Sequence, residues 1–180
     1  MVQTIGTESN HIIVKNTIIT KPGLRFYQIK NETGLANGTL QHHLASLTKL
    51  KEIRVIYENT TPRYFSPDIE DSAKIIIRRL GQNTPSKIIK LLLKKECQTF
   101  AQIVKYSKKT PGTVSLYKNK LLSDKIIYGD TSSCSCSKDV NKIKYRLTDP
   151  AKIKTLVMEY GKTSLEKSAD NLSDIYMSLK

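Results

Sequence analysis

The sequence predicts a mainly helical α+β chain with small β-hairpins, built on an internal duplication. Shifting the 180 residues by 74 positions superimposes eight identical residues without a gap between positions 26 and 53. The pairs are Phe26/Phe100, Gln28/Gln102, Ile29/Ile103, Gly38/Gly112, Thr39/Thr113, Leu47/Leu121, Lys51/Lys125 and Ile53/Ile127. A period this long suits two copies of a small domain better than a solenoid repeat. We therefore expect two related modules followed by a further helix.

Two short helices separated by a tight turn are predicted in the first module. Residues 25–32 form the first helix, and Gly34 can take the positive φ that ends it. The second helix covers residues 37–51 and carries one apolar stripe, formed by Leu40, Leu44 and Leu47. Helix, tight turn and helix together make a helix-turn-helix.

The second module repeats this pattern with clearer helix starts. Thr110-Pro111 is an N-cap residue followed by proline at the first helical position. The first helix of the second module is predicted over residues 86–95 and is opened by Thr84-Pro85. Between the modules we expect a linking helix over residues 68–80 and a turn over residues 81–83.

A β-hairpin is predicted after each helix-turn-helix, at residues 53–57 with 63–66 and at residues 126–128 with 144–147. The second hairpin is about seven residues longer than the first. A hairpin in this place is the wing of a winged helix, so we predict two tandem winged helix-turn-helix modules plus a C-terminal helix. The predicted divisions are 1–67 for the first winged-helix domain, 68–83 for the linking helix and turn, 84–150 for the second winged-helix domain, and 151–180 for a C-terminal helical segment.

The C-terminal segment contains a helix over residues 150–160 and then a narrow apolar seam. Its positions step by 4, 3, 4 and 3 along Leu165, Ala169, Leu172, Tyr176 and Leu179. Two interpretations stay open. Leu165, Leu172, Tyr176 and Leu179 pair with a second chain in a homodimer, or the helix folds back on its own domain.

Charge and composition narrow the class of partner. The chain has Lys+Arg 30 against Asp+Glu 16, a net charge of +14, and residues 81–180 carry +10 of it. Such an excess favours a polyanion, most often nucleic acid, although a generally lysine-rich composition would also produce it. No apolar run approaches the ~18 residues of a membrane span, and no cationic leader precedes one. We expect a cytoplasmic, nucleoid-associated protein with no membrane partner.

A family resemblance supports this interpretation. Residues 34–40, His43-Leu44, Leu47, Ile53 and 63–67 resemble the first module of archaeal tandem winged-helix transcriptional regulators, distant relatives of the multiple-antibiotic-resistance and arsenical-resistance repressors. Residues 21–24, 147–150, Tyr160 and Ser164 resemble the same pattern, so the similarity spans almost the whole chain. The resemblance implies promoter binding, often as a dimer, and names no operator or effector.

Candidate DNA contacts follow from the predicted helix faces. In the first module the face opposite the leucine stripe, together with the hairpin tip, offers Thr39, Gln41, His42, Ser46, Lys49 and Arg63. His43 lies beside the stripe and is interpreted as a packing residue. In the second module the candidates are Lys108, Lys109, Thr113, Ser115, Asn119, Lys120, Lys138 and Lys142, with Lys144 as a further wing lysine. Two residues depart from the first module there, because Leu116 replaces His42 and Lys118 replaces Leu44.

The three cysteines give no clear site. Cys134 and Cys136 lie in the longer hairpin, and thiolates two residues apart can share a soft metal. A metal or redox site and a flexible hairpin tip both stay open, and Cys97 is expected to be a small residue in a helix connection. An odd cysteine count argues against a disulfide-stapled secreted fold.

The sequence contains no phosphate loop, dinucleotide fingerprint, zinc-protease motif or CxxC pair. We therefore predict no enzyme, no cofactor and no metal. The predicted function is sequence-specific binding of double-stranded DNA by a homodimeric transcriptional regulator that contacts the transcription machinery. The alternative is a winged-helix adaptor that binds protein within a transcription, replication or chromosome complex.

Overall fold

A computed structural model describes residues 5–58, 60–134 and 141–161, with side chains from residue 10 onward. The described residues form eight helices and five short strands, which confirms the mainly helical α+β class. They fall into two compact units, Met1–Lys74 and Ile75–Lys180.

The first unit is three helices followed by one hairpin. Its elements are α1 (Ile5–Thr20), α2 (Phe26–Thr33), α3 (Asn37–Lys49), β1 (Arg54–Glu58) and β2 (Thr61–Phe65). Helix α1 was not predicted. Gly34 ends α2 with a φ of 69°, as expected, and α3 stops short of its predicted end because Lys51 takes a φ of 60°.

The core of the first unit is built by all three helices and the hairpin. Helix α1 contributes Val14 and Ile18, and the predicted stripe of α3 packs against them. The fully or nearly fully buried members are Val14, Ile18, Ile29, Leu40, Leu44, Leu47, Ile53 and Tyr64. The opposite face of α1 exposes Ile12, Ile13 and Ile19.

The first hairpin is tighter than predicted. Glu58 pairs with Thr61, so the ladder extends beyond the predicted strands, the first of which ends at residue 57 and the second of which begins at residue 63. Pro62 pairs with Tyr57 inside the ladder. A proline is tolerated there because a strand of a two-stranded sheet is an edge strand.

The second unit follows a linking helix, α4 (Asp71–Leu80), within which the two units divide. Its remaining elements are α5 (Asn83–Lys94), β3 (Gln98–Thr99), α6 (Phe100–Ser107), α7 (Pro111–Ser123), β4 (Ile127–Asp130), β5 (Lys144–Leu147) and α8 (Pro150–Tyr160). The sheet is antiparallel in the order β3-β5-β4, and α5 packs against α6, α7, β5 and α8.

The duplication is present in the element boundaries. Helices α2 and α6 differ by 74 positions at both ends, and so do α3 and α7. Helices α1 and α5 also end 74 positions apart, at Thr20 and Lys94. Leu24 bridges Tyr64, as Gln98 in the corresponding position pairs with Tyr145. Each unit therefore runs helix, a bridge to the hairpin, helix, helix and hairpin, and the bridge is a single residue in the first unit and the short strand β3 in the second.

Candidate nucleic-acid interface

Helix α3 presents the polar face that its sequence predicted. Of the five candidate residues on this helix, four are exposed and one is half-buried. The exposed residues are Thr39, Gln41, His42 and Lys49, and the half-buried one is Ser46. The leucine stripe fills the core on the other side. The helix is thereby fixed by packing while its outer face is free to meet a ligand.

The first turn of α3 can be approached closely. A Cβ built on Gly38 would meet no atom within 4 Å, and the same is true of Gly112 in the corresponding turn of α7. Packing within the described structure therefore does not require glycine at either position. The N-cap residue Ala36 makes no side-chain hydrogen bond to the first amides of α3. Amides at a helix N-terminus favour an anion such as a phosphate.

Three histidines meet beneath this face. The ring of His43 lies 5.9 Å from that of His11 on α1 and 5.5 Å from that of His42, centroid to centroid. His43 is 3% exposed, which confirms it as a packing residue. Burial, followed by the neighbouring His42 and His11, lowers the pKa of His43 below its usual 6.5. The neutral imidazole is therefore favoured at neutral pH.

Arg63 does not lie at a hairpin tip, so its predicted place is wrong. It sits within β2, opposite Ile56, and is 3% exposed. Its Nη1 donates to the Gly23 carbonyl at 2.8 Å, and its Nε lies 3.5 Å from a Glu58 carboxylate oxygen. The shortened turn moves Arg63 into the ladder, where it holds the loop before α2 against the hairpin instead of facing a duplex.

The turn before α7 carries two exposed lysines, Lys108 and Lys109. Lys108 ends α6 with a φ of 53°, the left-handed conformation that Gly34 takes in the first unit. A residue with a Cβ pays about 1–2 kcal/mol for that conformation. The turn geometry alone would favour glycine, and the sequence instead places a cation there.

The exposed face of α7 is less uniformly polar than that of α3. Asn119 is exposed, and Thr113, Ser115 and Lys120 are half-buried. Lys120 Nζ lies 5.5 Å from the centre of the Tyr117 ring. Leu116 is 54% exposed, as expected from its place on the outward face.

Lys118 keeps α7 packed without the leucine of the first unit. Its ammonium lies 5.6 Å from the centre of the Phe100 ring and 5.4 Å from that of Tyr145. Two cation–π contacts replace the apolar contact that Leu44 makes in α3. A charge at this stripe position is therefore compatible with the same helix placement.

The second hairpin divides its lysines between surface and interior. Lys142 is exposed, whereas Lys144 is completely buried, so its expected role as a phosphate contact is wrong. Lys144 Nζ donates to the carbonyls of Thr131 at 3.3 Å and Ser132 at 2.9 Å. These backbone carbonyls accept the hydrogen bonds of the buried ammonium. Such acceptors cannot be predicted from the sequence, because they lie far from Lys144 along the chain. Lys138 lies outside the described residues.

Cys97 is the helix-connection residue that was expected, and it also forms a disulfide with Cys134 that was not. Their Cα atoms are 6.8 Å apart and the two residues are 37 apart in sequence. Cys136 lies outside the described residues. In the part of the chain that the structure describes, no group of three His, Cys, Asp or Glu side chains is placed to hold a metal ion.

The predicted C-terminal helix is confirmed as α8, with the predicted bounds. The four candidate dimerisation residues, Leu165, Leu172, Tyr176 and Leu179, lie outside the described residues. Among residues 5–58, 60–134 and 141–161, no helix combines the length and the hydropathy that a bilayer crossing needs.

No protein-family model matches this chain, and no curated protein matches it either.

Proposed function

We propose that this protein is a sequence-specific double-stranded DNA-binding transcriptional regulator built from two winged-helix units. The single observation that carries the proposal is the repeated outward helix: α3 exposes a polar face, α7 occupies the corresponding place in the second unit, and the first turn of each contains a sterically open glycine. A helix fixed by its leucine stripe, with small and hydrogen-bonding side chains outward, is suited to the major groove. The net charge of +14 supplies the attraction to phosphate.

The two units take different parts in this proposal. The first reads sequence, because α3 exposes Gln41 and His42 beside Ala45, whose small side chain permits close approach. The second anchors the chain on phosphates through Lys108, Lys109 and the longer hairpin. The resemblance to archaeal tandem winged-helix regulators supports the proposal as a whole, which includes a cytoplasmic, nucleoid-associated location and contact with the transcription machinery.

Gln41→Ala tests the reading helix. A bidentate amide contact to an adenine edge discriminates by about 1–3 kcal/mol, so specific binding should weaken roughly 5- to 150-fold. Random duplex should be bound almost as before, because phosphate contacts are untouched. The preferred duplex is first selected from a random pool, and affinities are then measured by fluorescence anisotropy at one fixed salt concentration.

Ser115→Ala and Asn119→Ala are the matched variants on α7. Both should leave the ratio of specific to random affinity nearly unchanged. If instead Gln41→Ala keeps that ratio and either α7 variant abolishes it, the second unit reads the sequence and the division proposed here is reversed.

A homodimer completes the proposal. The seam along Leu165, Leu172, Tyr176 and Leu179 would bring two reading helices to a near-palindromic site. Light scattering of the full chain and of a chain ending at Tyr160 tests it. Equal oligomeric states would assign the seam to an intramolecular contact.

A protein-binding adaptor is the second candidate, and the exposure of Leu116 at 54% favours it for the second unit. A large apolar side chain in the middle of an outward helix face suits a protein partner as well as a thymine methyl group. The slope of log affinity against log salt on random duplex discriminates between the two candidates. Several phosphate contacts give a steep slope, and an adaptor that binds only protein gives none.

A further inference from the structure

Helix α1 exposes a narrow stripe on the side away from its core. Ile12 and Ile19 are 55% and 42% exposed, and with the exposed Asn16 between them they fall within about 60° around the helix axis. Val14 and Ile18 lie on the opposite side and are completely buried. We call Ile12, Asn16 and Ile19 the α1 stripe. Its steps of four and three residues are the spacing with which one helix packs along another.

The second unit shows that the shared fold does not require isoleucine on this face. The shift of 74 positions places Ile12 on Ser86 of α5, and Ile13, which borders the stripe and is 42% exposed, on Lys87. Ser86 is buried, and α5 packs against α8. Helix α1 therefore carries exposed isoleucines at two positions where its covered counterpart carries polar residues. Apolar side chains gathered on one exposed helix face indicate a contact surface.

The polar residues of this face are suited to pairing with themselves. The Asn16 amide carries both donor and acceptor groups, so two copies can satisfy each other across a two-fold axis. An antiparallel pair of α1 helices with its axis near Asn16 brings Ile12 of each chain opposite Ile19 of the other. Thr20 is exposed beside Asn16, and its hydroxyl donates to the Asn16 carbonyl at 2.8 Å. That hydroxyl keeps its hydrogen bond when water is removed.

The lysines next to the stripe are neutralised within the first unit. Lys15 Nζ lies 2.7 Å from a Glu52 carboxylate oxygen, and Lys21, directly after α1, forms an ion pair with Glu32. An acidic partner would have to compete with these carboxylates for the lysines. A second copy of the chain avoids most of the repulsion expected from a net charge of +14, because the nearest cations are already paired.

We propose that the α1 stripe is a homodimer contact in which the α1 helices of two chains pack antiparallel. The inference goes beyond the proposed function, because it needs no DNA and uses a different surface from the C-terminal seam. The buried side of α1 packs with the leucines of α3 in one core. Pairing through the stripe therefore leaves the outward face of α3 uncovered, and a dimer formed in this way can still bind DNA.

The first test gives α1 the residues that α5 has. Ile12→Ser with Ile13→Lys should preserve the fold, because both isoleucines are exposed, and far-UV circular dichroism verifies it. Each isoleucine that goes from half-exposed to buried should strengthen association roughly 3- to 10-fold, and a dimer contains four of them. The double variant should therefore weaken self-association of the full chain by roughly 100-fold or more, as measured by sedimentation equilibrium without DNA. Leu116→Ser on α7, 54% exposed, is the matched control and should change nothing.

The second test asks whether the stripe meets its own copy. Asn16→Asp and Asn16→Lys should each weaken self-association roughly 10-fold or more at low ionic strength, because the two-fold axis brings like charges together. An equimolar mixture of the two variants should associate again, since opposite charges then meet across the axis. Native mass spectrometry of the mixture should show heterodimers in excess of either homodimer.

Unchanged self-association of the Ile12→Ser, Ile13→Lys chain would overturn this inference, as would a natural sequence that sediments as a monomer. If that double variant associates normally and a chain ending at Tyr160 does not, the dimer belongs to the C-terminal seam. Opposite effects of Asn16→Asp and Asn16→Lys would show that the stripe meets a charged segment instead of its own copy. All of these results leave the proposed DNA binding standing, because none of the measurements contains a duplex.

Discussion

Removing the buried guanidinium of Arg63 should strongly lower the free energy of unfolding of the first unit and leave its affinity for DNA almost unchanged. Arg63→Ala deletes the donor to the Gly23 carbonyl at 2.8 Å and the cation 3.5 Å from Glu58. A hydrogen bond from a charged donor contributes about 1.5–3 kcal/mol, and breaking a buried ion pair costs about 3–5 kcal/mol. The Glu58 side chain keeps 18% exposure, which lets water recover part of its loss. We therefore expect a loss of about 3 kcal/mol.

That loss is a large part of what a unit of this size has. A domain holds about 0.05–0.15 kcal/mol per residue, so the first unit, Met1–Lys74, has roughly 4–11 kcal/mol. With a denaturant slope of about 1–2 kcal/mol per molar urea, the unfolding midpoint should fall by about 1.5–3 M. Far-UV circular dichroism follows the transition, because the chain has no tryptophan.

Arg54→Ala is the matched control on the same hairpin. Arg54 is exposed and lies 3.6 Å from an Asp71 carboxylate that is itself 82% exposed, so its ion pair contributes less than about 1 kcal/mol. Duplex affinity of folded Arg63→Ala should equal that of the natural sequence. The reasoning fails if both variants unfold at the same urea concentration while Arg63→Ala alone loses DNA affinity, because Arg63 would then face the duplex.

Two further predictions concern charge. Lys108→Gln with Lys109→Gln should weaken binding to all duplexes alike and flatten the salt slope by about 1–2, whereas the exposed pair Lys94→Gln with Lys95→Gln should leave the slope unchanged. Because the fold lowers the pKa of His43, this side chain binds a proton more readily below pH 6.5 in the unfolded chain than in the folded one. The free energy of unfolding should therefore fall between pH 7.5 and 5.5, by at most about 1.4 kcal/mol per pH unit. Urea midpoints of His43→Gln should vary less over that range, and an identical pH dependence in both proteins would contradict the assignment to His43.

The repeat is the most informative feature of the sequence, and it extends beyond residues 26–53, from which it was first recognised. It predicted the helices at 26–33, 37–49 and 111–123, whereas α6 at 100–107 was not predicted, because residues 86–95 were interpreted as the first helix of the second module. Helix α1 was missed because it exposes Ile12, Ile13 and Ile19 while burying Val14 and Ile18, so its isoleucines show no helical period. Extending the shift of 74 positions from α5 toward the N-terminus would have predicted it, since Val14 and Ile18 fall on Ile88 and Leu92.

The candidate site was harder to predict wherever a cation is buried. Arg63 and Lys144 were interpreted as surface residues because isolated cations usually are. Their acceptors, the carbonyls of Gly23, Thr131 and Ser132, lie 40, 13 and 12 residues away. Backbone carbonyls leave no mark in sequence, because every residue has one. The polar faces of α3 and α7, by contrast, follow from helical periodicity alone.

The two units have the same helix geometry and different exposed chemistry, which bears on how one chain could both find and read a site. Position for position, α7 has Ser115 and Leu116 where α3 has Gln41 and His42, and the turn before it has Lys108 where the first unit has Gly34. Under the proposed function, base contacts of about 1–3 kcal/mol each cannot hold a small unit on DNA by themselves at cellular concentrations. A tethered unit that binds phosphate without regard to sequence keeps the reading helix near the duplex at an effective concentration in the millimolar range. The weak contacts of α3 then need only to discriminate among sites on which the second unit already holds the chain. The divergence of the two helices therefore favours sequence selection, because one unit supplies non-specific affinity and the other reads bases, a division that two identical reading helices would not have.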